Sequence, residues 1–195
     1  FLNIKKYIPT IHILKLVQNY RNNQETINLA NKFIMQNKHQ IPKNTICQKK
    51  LTKPIKIVYY KDSKNIITKI ANTLEGSILI MGRNNKDKEK FFIEETENIR
   101  FLTIHKSKGL EFDNTIIVNL ENKSNSLPSR IPKPKLLDKI IKGDTFKDEE
   151  ERRLFYVALT RSKNYTYLVV PSNNESVFIK EIKKYGKDYI EIINL

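Results

Sequence analysis

Three short stretches carry residue types that could grip a phosphate or a base. In LVQNYRNN, Leu16–Asn23, an apolar run ends in an aromatic beside an arginine. Tyr20 could stack on a base, and the Arg21 guanidinium could fork a phosphate. If this run is a strand, its end is where α/β domains place ligands. In TIHKSKGLEFD, Thr103–Asp113, an apolar run stops at Ile104, and His105, Lys106, Ser107 and Lys108 precede Gly109. Hydroxyl, ammonium and free N–H groups ahead of a glycine turn suit contacts with a sugar-phosphate backbone, and Glu111 could accept from a sugar hydroxyl. In EEERRLFYVALTRSK, Glu149–Lys163, the residues Leu154, Val157, Ala158 and Arg161 advance by three or four. On a helix this apolar face leads to Thr160 and Arg161, and an arginine held so at a domain edge can reach a phosphate bound elsewhere.

Each stretch also has a plainer reading. Tyr20 and Arg21 could be a surface pair, the lysine turn could be merely solvated, and His105 could be a hydrogen-bonded structural residue. Arg152, Arg153 and Arg161 could pair with Glu149–Glu151 along the helix surface. None of the five glycines stands in a G-x-x-x-x-G-K-[ST] loop or a G-x-G-x-x-G turn. No apolar strand runs into an Asp-Glu pair of the kind that holds magnesium. The sequence therefore offers no phosphate cradle of its own, and it would have to approach a nucleotide from one side.

The elements that must position these residues alternate between β-like runs and helical periodicity, which indicates one α/β domain around a mostly parallel sheet. Strands are predicted at Ile11–Tyr20, Ile55–Tyr60, Ser77–Met81, Arg100–Ile104, Thr115–Leu120 and Tyr165–Val170. Helices are predicted at Gln24–Gln36, capped by Asn22-Asn23, from Asp62 or Ser63 to Glu75, at Asp148–Ser162 and at Glu175–Tyr185. A short helix is expected around Phe91–Ile93. Lys38–Pro54 reads as a polar loop, and Glu121–Phe146, with Pro128, Pro132, Pro134 and Gly143, as an irregular excursion.

Composition adds limits. The chain has 195 residues, 36 Lys+Arg and 21 Asp+Glu, a net charge of +15. That excess suits a nucleic-acid partner through counterion release, and equally suits A/T-rich coding drift, since Ile, Lys and Asn all abound. A single Cys47 excludes an intramolecular disulfide framework, and only three His argue against structural zinc. No apolar run is long enough to span a bilayer. A cytoplasmic protein with no membrane association is expected. The chain opens Phe1-Leu2-Asn3 without an initiator Met, so it reads as cut from something longer.

Together the three stretches resemble motifs IV, V and VI of the UvrD/Rep-type superfamily 1 DNA helicases, in that order. QNYR matches motif IV (about 16–23), T-x-H-x-x-K-G-L-E-F motif V (about 103–113), and E-E-R-R-L-F-Y-V-A-L-T-R motif VI (about 149–163). The resemblance extends from about Leu14 to Ile182. It implies that residues 1–195 are a single C-terminal, RecA-like motor domain: a three-layer α/β domain with a mostly parallel central sheet, the P-loop NTPase fold without its own Walker A loop. It further implies an ATP-dependent 3′-to-5′ DNA helicase and single-stranded DNA translocase, with ATP in a cleft between two RecA-like domains. The Walker loop and magnesium acids belong to the N-terminal domain, so ATP and Mg2+ would be bound mainly by that missing partner.

By the same resemblance, Tyr20 would stack on the adenine, Arg21 and Arg161 would contact the γ-phosphate, and Glu111 would touch the ribose side. Thr103 and His105 would meet the single strand, Lys108 is assigned to DNA as well, and no metal ligand is assigned. Two departures stand out. Only about Lys86–Asn98 fills the place where UvrD and Rep insert a large accessory subdomain, and this compact spacing, with the tail Asn173–Ile182, resembles the DNA helicase IV branch. The Ser or Thr usual after N-Y-R is Asn22, which can still cap a helix. The fragment alone is expected to lack ATPase activity. The competing expectation is a non-catalytic nucleic-acid-binding or interaction domain derived from a helicase; the joint presence of Arg21, Glu111 and Arg161 argues against it.

Overall fold

β-branched residues set the frame. In the computed structural model, which describes residues 4–12, 14, 16–37, 40–42, 44–131 and 148–195, the elements run α1 (Ile4–Tyr7), β1 (Gln18–Asn19), α2 (Gln24–Ile34), β2 (Ile46–Cys47), β3 (Ile55–Tyr60), α3 (Ile66–Ala71), β4 (Ile78–Gly82), α4 (Asp87–Lys90), β5 (Ile99–Thr103), β6 (Asn114–Ile117), α5 (Glu149–Leu159), β7 (Thr166–Pro171), α6 (Val177–Tyr185) and β8 (Ile190–Asn194). Six strands form one sheet in the order β5-β4-β6-β7-β3-β8, and every pairing in it is parallel. A strand buried on both faces must be apolar throughout, and β4, buried at every position, reads as the unbroken run Ile-Leu-Ile-Met-Gly.

The two-residue period divides each strand between two cores. Ile57, Leu79, Ile117 and Leu168 pack beneath α2, α5 and α6, while their neighbours Val58, Ile80, Ile116 and Val169 pack against α3 on the opposite face. Helix, sheet and helix thus make three layers. Beneath the first layer, Phe33 meets Phe155 and Phe178 edge-on at centroid distances of 5.1 and 5.0 Å. Arg152, buried, lies over Phe33 at 4.5 Å and forks Glu181 of α6 at 2.6 and 2.9 Å. Arg153 pairs with Glu149, and Glu151 instead pairs with Arg83 at 2.7 Å. The surface-pairing reading of the α5 arginines therefore holds for Arg153 and fails for Arg152.

Several expectations are corrected. The strand predicted over Ile11–Tyr20 shrinks to Gln18–Asn19, which pairs with β2 in a separate two-stranded sheet; Ile13 and Lys15 lie outside the described residues. Leu14 is 92% and Leu16 100% exposed, so this apolar run has no sheet to join. The loop predicted over Lys38–Pro54 contains β2, with Lys38, His39 and Lys43 outside the described residues. The helix predicted from Asp62 or Ser63 begins only at Ile66, because the Asp62 carboxylate accepts from the Lys64 N–H and Asn65 is left-handed at φ 61°, a turn and not a helix start. The short helix lies at Asp87–Lys90, ahead of Phe91, and Phe92 sits at φ 51°. The remaining strands and helices differ from prediction only at their ends. Strand β8 went unpredicted; it adds Ile190–Asn194 to the free edge of β3. Of the irregular excursion, 132–147, including Pro132, Pro134 and Gly143, lies outside the described residues.

Candidate functional site

Four asparagines tie the three stretches together. The Asn19 Oδ1 accepts from the backbone N–H of Arg21 at 2.9 Å and of Asn22 at 3.0 Å, fixing the turn that carries Arg21. Asn23 alone caps α2, accepting from the Thr26 N–H at 2.8 Å, and its amide donates to the Asn164 carbonyl at 3.0 Å. Asn22 is left to donate to the carbonyls of Thr160 and Ser162 at 3.2 and 2.7 Å. Phe112 bridges in parallel to Ser162, its N–H donating to the Arg161 carbonyl at 3.2 Å, while Lys163 N–H donates to the Phe112 carbonyl at 2.9 Å. The ends of all three stretches thereby meet just ahead of β6 and β7.

Arg161 stands where α5 ends. Its Nε donates to the Val157 carbonyl of the last helical turn at 3.0 Å and one Nη to the Leu110 carbonyl of the second stretch at 3.2 Å. Among the described residues Arg161 has no carboxylate partner. Burial lowers its pKa from the ordinary arginine value, and the positive charge of Arg21 lowers it further. Arg21 itself pairs with Glu111, Nε to Oε2, at 3.0 Å, and Lys163 approaches the other Glu111 oxygen at 3.4 Å. Hydrogen bonds from Arg21 and Lys163 hold the Glu111 carboxyl below the usual glutamate range. Beside this cluster Tyr20 is 81% exposed, its ring open to a planar ligand. The site is thus a cationic face on which Glu111 is joined by Asp113, 4.0 Å from Lys163, and it suits an anion that arrives from outside.

The structure brings Arg21, Glu111 and Arg161 together, with Tyr20 adjacent. Tyr20 and Arg21 directly follow the carboxyl end of β1, as expected of that stretch, while Glu111 and Arg161 lie in Leu110–Asp113 and Arg161–Tyr165, which lead into the amino ends of β6 and β7. Thr103, His105 and Lys108 sit elsewhere, at the carboxyl end of β5. There Thr103 is buried and its carbonyl accepts from Ser107 N–H at 3.1 Å, whereas His105, Lys106 and Lys108 are exposed. Gly109 turns the chain at φ +90°, with open space where a Cβ would be; the left-handed backbone, not crowding, calls for glycine. Sequence reasoning missed Lys163, although it directly follows the T-R-S of the third stretch, and it missed the work of Asn19 and Asn22.

Three layers around an all-parallel central sheet make a RecA-like α/β fold. Residues 78–173 match the family model for the UvrD-like helicase C-terminal domain. The chain is 29% identical over 174 residues to DNA helicase IV of Escherichia coli (strain K12), covering 84% of this chain and 25% of that protein. It is 35% identical over 71 residues to the ATP-dependent DNA helicase Rep of Buchnera aphidicola subsp. Schizaphis graminum (strain Sg), covering 36% of this chain and 11% of Rep. The chain thus spans about a quarter of the length of the first relative. The crystal structure of the C-terminal domain of a possible DNA helicase from Lactobacillus plantarum WCFS1 shares the fold, with a TM-score of 0.57, 14% identity, and coverage of 89% of this chain and 98% of that one. Among the described residues no helix is long and apolar enough to cross a membrane, and no group of three His, Cys, Asp or Glu could hold a metal ion.

Proposed function

We propose that this chain is the C-terminal half of an ATP-dependent 3′-to-5′ DNA helicase and single-stranded DNA translocase, working in the cytoplasm with no membrane association. Its 195 residues are one RecA-like domain that closes on an N-terminal RecA-like domain of the same protein. ATP is the substrate, bound in the cleft between them, and Mg2+ is held by the N-terminal domain. One observation carries this reading: Arg21 and Arg161, from segments 140 residues apart in sequence, are brought to one place by Asn22, which follows Arg21 and donates to the carbonyls of the residues on either side of Arg161. Two like charges kept together on an open face are relieved by a polyanion.

In the hydrolysis, water attacks the γ-phosphorus, the bond to the bridging oxygen of ADP breaks, and charge gathers on oxygens that the two guanidinium groups face. Such preorganised donors stabilise the transition state without reorganising. Tyr20 stacks on the adenine and Glu111 takes the ribose side. Thr103, His105 and Lys108, at the carboxyl end of β5, meet the single strand. Residues 103–113 join both places, so closure around nucleotide shifts the grip on DNA through one continuous segment. The test compares the isolated chain with the full-length protein. The chain should show no single-stranded-DNA-stimulated ATP hydrolysis, and the full-length protein should show it. Robust hydrolysis by the chain alone, or none by the full-length protein, would sink this reading; the latter outcome would favour a non-catalytic binding domain.

A further inference from the structure

Asn22 is 1% exposed and makes no helix cap, since Asn23 takes that position. Its amide nitrogen spends both hydrogens on the carbonyls of Thr160 and Ser162, at 3.2 and 2.7 Å, the two residues that flank Arg161. Its Oδ1 accepts from the Asn19 amide at 3.1 Å, and its own N–H donates back to Asn19 at 3.0 Å. The amide orientation is forced, because an oxygen turned toward two carbonyls would be repelled and leave both unsatisfied. Asn22 is bonded covalently to Arg21. One side chain therefore links the residue after one arginine to the carbonyls of the two residues that flank the other.

We propose that Asn22 is a positioning residue, a clamp that sets the separation of Arg21 and Arg161 for ATP hydrolysis; this rests on the helicase reading above. A serine at this place could supply one donor, which reaches at most one of the two carbonyls. An aspartate has the shape of asparagine and no donor at neutral pH, so it would repel both. Neither carbonyl has another side-chain donor among the hydrogen bonds of the described residues. The clamp thus depends on an asparagine and not merely on a small polar residue. Displacements of about 1 Å in catalytic groups cost on the order of 100-fold in rate, so the effect belongs in kcat.

The experiment uses the full-length protein at saturating single-stranded DNA, measuring kcat and KM for ATP. Asn22→Asp should lower kcat about 100-fold with KM within about threefold, and Asn22→Ser should fall between it and wild type. The same Asn22→Asp change is then made in an Arg161→Lys background, where it should lower kcat by less than about threefold, because the group it positions is already lost. Equal fold losses in both backgrounds would overturn the clamp while leaving the helicase reading intact. Wild-type turnover by Arg161→Lys would instead remove Arg161 from its role, and the clamp with it. Folding is checked by thermal melting of each variant; should Asn22→Asp fail to fold, Asn22→Ser decides, and wild-type kcat for it overturns the proposal.

Discussion

Arg21 donates from Nε to Glu111 Oε2 at 3.0 Å, joining segments 90 residues apart. Both groups are partly solvent-exposed, at 31% and 47% of their side chains, so the pair contributes little to stability. Its consequence is electrostatic. Glu111 pairs with Arg21 and approaches Lys163 at 3.4 Å, and it acts on Arg161 only through space, against the opposing charge of Arg21. An arriving phosphate would take Arg21 from Glu111, and Lys163 would remain as the counter-ion.

That arrangement makes the Glu111 carboxyl titrate below the ordinary glutamate value of 4.5, chiefly through its bonds from Arg21 and then Lys163. A carboxyl with a depressed folded pKa adds stability above its unfolded pKa and loses it as pH falls through the lower, folded one. Carbon-detected NMR titration of Glu111 in this chain should show the low midpoint, and Arg21→Ala should raise it. An unmoved midpoint in Arg21→Ala would show that the pair does not form in solution.

The aromatic cluster under α2, α5 and α6 predicts where stability resides. Phe155 is fully buried between Phe33 and Phe178, so Phe155→Ala should cost about 3–5 kcal/mol in urea unfolding. Phe92, 64% exposed, is the control: Phe92→Ala should stay within about 0.5 kcal/mol. Comparable losses at both positions would contradict the packing described.

The proposed strand contacts at the end of β5 have a salt signature. If Lys108 meets a backbone phosphate, Lys108→Ala should weaken single-stranded DNA binding by the full-length protein and reduce the magnitude of its log K versus log salt slope by about 0.7. His105→Ala should weaken binding as well, His105 being exposed on the same turn. An unchanged affinity and slope for both variants would move the track away from this turn.

How far the sequence reaches is clear from particular residues. Ile55–Tyr60 and Ile78–Gly82 were legible because a doubly buried parallel strand has to be apolar at nearly every position. The same rule misled at Ile11–Tyr20, where an apolar run stays exposed; composition alone does not reveal whether a neighbouring strand exists. Strand β8 was hidden by its edge position, with Glu191 and Ile192 both exposed, so neither alternation nor a buried apolar run marks it. The convergence of Arg21, Glu111 and Arg161 was foreseen from motif resemblance, but its location at the amino ends of β6 and β7 was not. Residue spacing does not tell which end of a sheet a connection returns to. Asn22 was legible only as a capping type, since clamping Thr160 and Ser162 is a contact across 138 and 140 residues.

The most direct test is Arg161→Ala in the full-length protein, with ATP turnover and ATP binding measured on the same preparation. An arginine acting on the transferring phosphoryl group contributes about 10³–10⁵ in kcat. The finger role predicts a loss of that order with ATP affinity preserved within a few-fold. Turnover within about threefold of wild type would contradict it, and Arg161 would then be only the residue that closes the end of α5.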